Sequence, residues 1–474
     1  MIFNSLAFAI FLPIVLALYY LLPFKGQNRM LLFASLFFYA WWDWRFLGLL
    51  ALTIVVDFYA SHAVYRATSQ KIKKRWMLLS VISNVGVLVI FKYSDFFLKS
   101  FAVVLTKIGF AVHLPTLALV LPIGISFYTF MSMAYVIDVY RGQLKPTPHL
   151  FDFSLFVCYF PHLVAGPILR APQLLPQLTQ ERKIKIEQIR DGITLIIIGY
   201  VRKVVVADIL APMISEAFTQ MDSMGSGDLI LRMYLFAIQL YGDFAGYSDI
   251  ARGVSKLFGI ELNLNFSTPY FSENITEFWR RWHISLSSWL RDYVYIPLGG
   301  NRKGEFRTYL NNFLTMLIGG LWHGANWTYI VWGGLNGIYL GIHKAFLKIS
   351  PKRSSSKNPQ TLILPLRILK MFFIFTLAAF AFIIFRSPDI STAILYIRRM
   401  CSFSGGISHM GSTVYVIPFL FVGLVIDIAQ YTSRGEHFIA RSTLWQRALI
   451  LGPLLAIVLA AGADSSKPFI YFQF

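Results

Sequence analysis

The chain has 474 residues, of which 56% are hydrophobic, 16% aromatic and only 14% charged. A soluble domain carries about 25% charged residues, so the composition excludes a soluble globular protein and implies a polytopic membrane protein. The formal net charge of +20 does not imply a nucleic-acid partner, because the basic residues gather in short loops, as cytoplasmic loops of membrane chains do.

Ile2–Leu22 reads as the first span and not as a cleavable signal peptide. It has no basic n-region, and Pro13 is followed by more apolar sequence instead of a small-residue cleavage site. Further apolar runs lie at Met30–Tyr39, Phe46–Tyr59, Met77–Phe91, Ile193–Val206, Met371–Phe385, Val414–Ile428 and Ala448–Ala461. Many approach the roughly 20 residues that cross a bilayer, which predicts about ten to twelve spans, fewer if some dip in and return. The basic loops Arg66–Arg75, Arg182–Arg190 and Lys344–Lys370 mark the cytoplasmic side. Counting back from the first of them places the N-terminus outside. Arg434, Arg441 and Arg447, ahead of the last span, place the C-terminal tail outside too.

WWDWR at 41–45 reads as an interfacial aromatic belt, and Asp57 with His62 as a polar helix end. Cys158 reads as a small buried hydrophobe; with Cys401 it makes no disulfide framework and no CxxC. From Pro122 the pattern changes. Pro122, Gly124, Pro161, Gly166 and Pro167 break helices, and irregular backbone at membrane depth is tolerated only inside protein or along a cavity. A cavity is therefore expected, with His162 as a loop histidine. In IQLYGDFAGYSDIARGVSKLFGI, Asp243 and Asp249 either orient a histidine or pair with Arg252.

Ser272–Tyr295 has helical periodicity, with Phe278, Trp282, Ser285 and Trp289 on one stripe and Glu277 spaced to pair with Arg281. Arg280, Arg281 and Arg291 are too many charges for a span. They predict an interfacial or re-entrant helix whose arginines meet anionic phosphates or lipid headgroups. His283 lies within it. His323 lies forty positions on, in GGLWHGANW at the end of the short span Asn311–Trp322. Histidine is rare in apolar membrane segments and suited to general acid/base work near neutral pH. Ser350–Gln360 reads as a polar cytoplasmic linker. There is no internal repeat and no Walker A, GxGxxG or HExxH motif, and the histidines lack the carboxylates or cysteines of a metal site.

Five stretches together carry a resemblance: PIGISFYTFMSMAYVIDVYRG, FPHLVAGPILR, YGDFAGYSDIARG, NFSTPYFSENITEFWRRWHISLSSWLRDYVYIPLGGNRKG and LWHGANWTYIVWGGLNG. In order and length they resemble the membrane-bound O-acyltransferase family, in its bacterial alginate O-acetylation branch. The match covers about Leu121–Gly341, with the tail PFIYFQF in addition. The resemblance implies an all-α fold, a ring of membrane helices with re-entrant helices around a central tunnel. It implies one membrane domain over residues 1–474, with core motifs at 121–341, the linker at 350–360, C-terminal spans at 361–463 and a periplasmic aromatic tail at 464–474. It also implies His323 as the catalytic residue and His283 as the second active-site residue. Acetyl-CoA is the implied cytoplasmic donor, with no permanently bound cofactor and no metal. A periplasmic SGNH-hydrolase-like partner would place the acetyl group on a polysaccharide. The setting would be the bacterial inner membrane, with lipids and not nucleic acid as surroundings.

The residues add three expectations. Neutral imidazole takes a hydroxyl proton as the hydroxyl attacks a thioester, while apolar walls exclude water. Arg280 or Arg281 meets the donor's phosphates. The tail KPFIYFQF, starting outside, either packs as a plug or brings Tyr471 to His323 as a covalent acyl carrier. Two alternatives stand beside this reading. One is a D-alanyl transferase for teichoic acid, whose branch keeps such a tail on a separate short peptide. The other is a glycan or lipid transporter, which also uses broken helices and intramembrane charges. The final acceptor stays open among alginate, cellulose, another exopolysaccharide and peptidoglycan.

Overall fold

A computed structural model describes residues 1–110, 116–349, 364–408, 410–433, 439, 442–462 and 469–470. The linker expected at 350–360 and Tyr471 lie outside the described residues. Among the described residues every regular element is helical. Among the described residues five helical segments are long and apolar enough to cross a membrane: Phe24–Arg66, Gln70–Lys107, Leu364–Arg386, Thr413–Thr432 and Leu444–Gly462. The first breaks at Asp43, where the backbone is extended and the carboxylate accepts from the Arg45 N–H at 3.0 Å. Large apolar side chains such as Phe33, Phe373 and Leu459 point out of these segments and are exposed, as lipid-facing residues are. The protein is a multi-pass helical membrane protein. Other long helices, Ser226–Leu257 and Glu305–His323 among them, carry buried polar and charged side chains where a lipid-facing span would be apolar.

The chain divides into two compact units. The first comprises Met1–Ile196 and Tyr247–Asn263. Its opening helix, Leu6–Leu21, starts at Ser5, whose hydroxyl accepts the Phe8 N–H at 3.2 Å, satisfying an otherwise orphan donor. Near the helix's end Tyr19 donates to the Phe258 carbonyl at 2.8 Å and receives Arg182 Nε at 2.7 Å, so the basic loop is docked on the protein. Asp57 is not at a helix end. It lies midway along Leu47–Arg66, fully buried, and accepts from Asn84 Nδ2 at 2.8 Å and from the Ser132 hydroxyl. Buried polar groups must find partners, and here the partners tie three helices together. His162 likewise is not in a loop. It sits in the one-turn helix Phe160–Leu163, 1% exposed, with Nε2 donating to the Phe156 carbonyl at 3.1 Å. Asp249 approaches Arg252 at 3.8 Å within this unit.

The second unit comprises Ile197–Gly246 and Leu264–Phe474. Helices Glu305–His323 and Trp327–Ile349 form a hairpin. A Cβ on Gly320 would run into the Tyr329 carbonyl oxygen, and one on Gly333 into that of Met316. Only glycine at both positions lets the two backbones approach this closely. The run Ile193–Val206 is not a plain apolar span. It passes into a π-helical stretch, Val201–Asp208, in which Arg202 and Lys203 are buried. Arg202 pairs with Asp427 at 2.6 Å, and Lys203 with Asp208 at 2.8 Å and Asp243 at 2.6 Å.

Candidate active site

The periodicity of 272–295 predicts one helix, but the chain forms two. Ile275–Arg281 begins at Asn274, whose side chain accepts the Glu277 N–H at 2.9 Å. The second helix, Ile284–Leu290, is separated from it by Trp282 and His283. His283 has φ 41° and ψ 55°, a left-handed conformation that side chains rarely adopt and that costs on the order of 1–3 kcal/mol. The surroundings impose it. Ser267 N–H donates to the Arg281 carbonyl at 3.0 Å, Ile284 N–H to the Asn265 carbonyl at 2.9 Å, and the Ser285 hydroxyl to Asn265 Oδ1 at 2.6 Å. The strained turn points the imidazole inward, where His283 is 1% exposed. Among the described residues neither of its ring nitrogens has a hydrogen-bond partner.

His323 is the last residue of Glu305–His323; beyond it the chain becomes extended at Gly324. The rings of His283 and His323 are 6.3 Å apart between centroids. Around them stand Phe244, 4.7 Å from His283, and Trp332 and Phe385, 5.1 and 5.3 Å from His323. The pair is therefore flanked by aromatic rings.

His323 lines a cavity of about 680 Å³. The cavity runs along Trp327–Ile349 from Trp332 to Lys344, twelve residues or about 18 Å of helix. Arg280, Arg291 and Lys344 also line it, so it joins a histidine to a basic region. Such a cavity suits a molecule with an anionic head and a thin arm.

The two arginines singled out in the sequence have different environments. Arg280 is exposed and lines the cavity. Arg281 does not line it. Its guanidinium pairs with Glu277 at 2.7 Å, donates to Thr268 Oγ1 at 3.3 Å and lies 5.5 Å over the Tyr431 ring.

The membrane-bound O-acyltransferase family profile matches residues 36–386. The chain belongs to that family. It is therefore an enzyme, an O-acyltransferase. It is 44% identical to the probable alginate O-acetylase of Azotobacter vinelandii and 40% identical to that of Pseudomonas putida, each over the whole of both chains. It is 32% identical to the peptidoglycan O-acetyltransferase of Helicobacter pylori, over all of this chain and 98% of the other.

Within this acyltransferase, Asp243 orients neither histidine in the way the sequence left open. One carboxylate oxygen takes Lys203 at 2.6 Å and the other accepts the Ile470 N–H at 2.8 Å. Phe469, the residue before, packs its ring 5.4 Å from Phe244, the same ring that packs against His283. Sequence reasoning did not single out Lys203 or Arg202. Their signal was present as two cations inside an otherwise apolar run, YVRKVVVAD, where each must find an anion. Arg291 was read with Arg280 and Arg281 as meeting anionic phosphates or headgroups and Lys344 as part of a basic loop, and only the fold brings Arg291 and Lys344 to one cavity.

Proposed function

We propose that this acyltransferase takes acetyl groups from cytoplasmic acetyl-CoA and delivers them across the bacterial inner membrane for O-acetylation of an extracellular polysaccharide. An SGNH-hydrolase-like periplasmic protein is the proposed recipient on the far side. The cavity that runs from a basic mouth to His323 supports this reading most directly. The names of the full-length relatives support acetyl as the acyl group and a glycan as the acceptor, alginate or a similar polymer. The two compact units act as one enzyme in this proposal.

The chemistry assigned to the site is general-base acyl transfer. The CoA phosphates sit with Arg280, Arg291 and Lys344, and the pantetheine arm lies along Trp327–Ile349. His323 takes the proton of an acceptor hydroxyl as that oxygen attacks the thioester carbonyl carbon. The carbon–sulfur bond breaks, and the departing thiolate receives the proton from the imidazolium. His283, whose ring lies 6.3 Å from that of His323, is assigned the role of holding the carbonyl oxygen or the acceptor. The aromatic walls prevent hydrolysis of the thioester.

The tail supports a further element of the reading, with Tyr471 as the first acceptor. Its neighbour Ile470 is held by Asp243, and Phe469 packs in the same aromatic cluster as His283. A phenol ionises near pH 10 in its ordinary form, within easier reach of a histidine base than a sugar hydroxyl. Acetyl-tyrosine remains an activated ester for a serine of the partner.

The experiment is His323→Ala in cells that make the polysaccharide. The expected result is folded enzyme at normal abundance and acetylation reduced by about two to four orders of magnitude, the range of a lost general base. Wild-type acetylation in that variant would refute the proposal.

A further inference from the structure

We propose that Asp243 is a positioning residue for acyl transfer: paired with Lys203, its carboxylate clamps the backbone of the C-terminal tail at Ile470 and holds it beside the aromatic cluster of His283. The inference rests on the tail's role in the reading above and adds the device that holds it.

The clamp begins with glycine spacing. Gly242 and Gly246 flank Asp243 on the helix Ser226–Leu257. A Cβ on Gly242 would come within 3.0 Å of the Arg202 carbonyl oxygen, and one on Gly246 within 2.6 Å of that of Gly199. The two glycines let this helix lie directly on the backbone around the π-helical stretch Val201–Asp208, and Lys203 thereby reaches the carboxylate one position from Gly242. Lys203 is 2% exposed and Asp243 3%. A buried ion pair is costly to assemble and weak evidence for stability in itself, which leaves its presence here to be explained by what it holds.

It holds the tail. Lys203 carries one positive charge between two carboxylates, Asp208 and Asp243. The lysine is thus shared, and the second oxygen of Asp243 is left to another donor. Carboxylate oxygens accept from N–H donors, and charge-assisted bonds of this kind are among the stronger hydrogen bonds. The donor in place is the Ile470 N–H, 2.8 Å from Asp243 Oδ2. Phe469 and Ile470 are 1% and 6% exposed. Phe244, the next residue after Asp243, packs against both Phe469, at a tilt, and His283, edge to face. Two adjacent residues of one helix thus fix the tail's backbone and one of its rings to the cluster that holds His283.

The test acts on the bond from the tail's side. Ile470→Pro removes the N–H and leaves the ion pair untouched; Ile470→Val keeps the N–H. Full-length enzyme is purified in detergent, and three quantities are read: Tm, affinity for acetyl-CoA, and kcat for transfer to the acceptor. The expected result for Ile470→Pro is unchanged Tm and donor affinity with kcat lowered roughly tenfold to a hundredfold, the range of one bond to a charged group. Ile470→Val should match wild type. Asp243→Asn weakens the same bond and also breaks the ion pair with Lys203, so it should lose transfer and lower Tm, and Ile470→Pro should cost less in the Asp243→Asn background than in the wild type. Wild-type kcat in Ile470→Pro overturns the clamp. So does a loss in that variant that tracks a fall in Tm, or a double variant whose losses multiply. Failure of the clamp leaves His323→Ala inactive, whereas failure of the functional reading leaves His323→Ala active, so the two are told apart.

Discussion

Reversing Arg280 and reversing Arg281 should have opposite consequences, although the residues are adjacent. Arg280 is exposed, lines the cavity and makes no ion pair among the described residues. Arg280→Glu changes the local charge by two units at the mouth. At about 4 Å in water-like surroundings each unit contributes about 1 kcal/mol against a phosphate, more where the dielectric falls. The reversal therefore costs about 2 kcal/mol of donor binding, or roughly thirtyfold in Kd. Arg281 instead holds the fold, through Glu277, Thr268, the Ser267 carbonyl and the Tyr431 ring. Arg281→Glu removes these contacts and sets a carboxylate against Glu277. That costs about 2–3 kcal/mol of stability, counting about 1 kcal/mol per hydrogen bond and less for the half-exposed pair. The assay is acetyl-CoA titration at 50, 150 and 500 mM salt, as rough steps across the screening range, together with Tm. Arg280→Glu should weaken binding most at low salt with Tm unchanged. Arg281→Glu should lower Tm with binding changed little in the folded fraction. Equal affinity losses in both variants, or none in Arg280→Glu at any salt, would refute the assignment.

Tyr471→Phe keeps the ring and deletes only the oxygen. If Tyr471 carries the acyl group, transfer to the partner is lost, and mass spectrometry of wild type without the partner finds an acetyl group on Tyr471; near-normal acetylation in the variant rejects the carrier role. Asp57→Leu should destabilise the first unit by about 1–3 kcal/mol, because Asn84 and Ser132 lose their buried acceptor. Asp57→Asn keeps an oxygen there and should cost less. Thermal unfolding in detergent measures both, and a Leu variant as stable as wild type would show that the contacts carry no weight.

The membrane class and the helical fold could be read from the sequence alone, because both depend on local quantities: the fraction of charge, the length of apolar runs and the rarity of histidine within them. His283 and His323 stood out for the same reason, since a polar ring in an apolar segment stands out wherever it lies. Other features depended on contacts distant in sequence. The turn at Trp282–His283 breaks a clean helical period, because hydrogen bonds accepted by Asn265 and donated by Ser267 outweigh the local preference for a continuous helix. Arg280 and Arg281 look alike in sequence. Which one lines the cavity and which one holds the fold follows from the direction each leaves the helix and from what packs there. Asp57 looked like a helix end until Asn84 and Ser132 closed over it. Asp243 offered several partners on paper; the close approach at Gly242 and Gly246 brought it to Lys203, and the fold laid the backbone of Ile470 against it. Charge and hydropathy identify a polar residue in the membrane, but its partner is chosen by tertiary packing, because the partner is near in space and far along the chain.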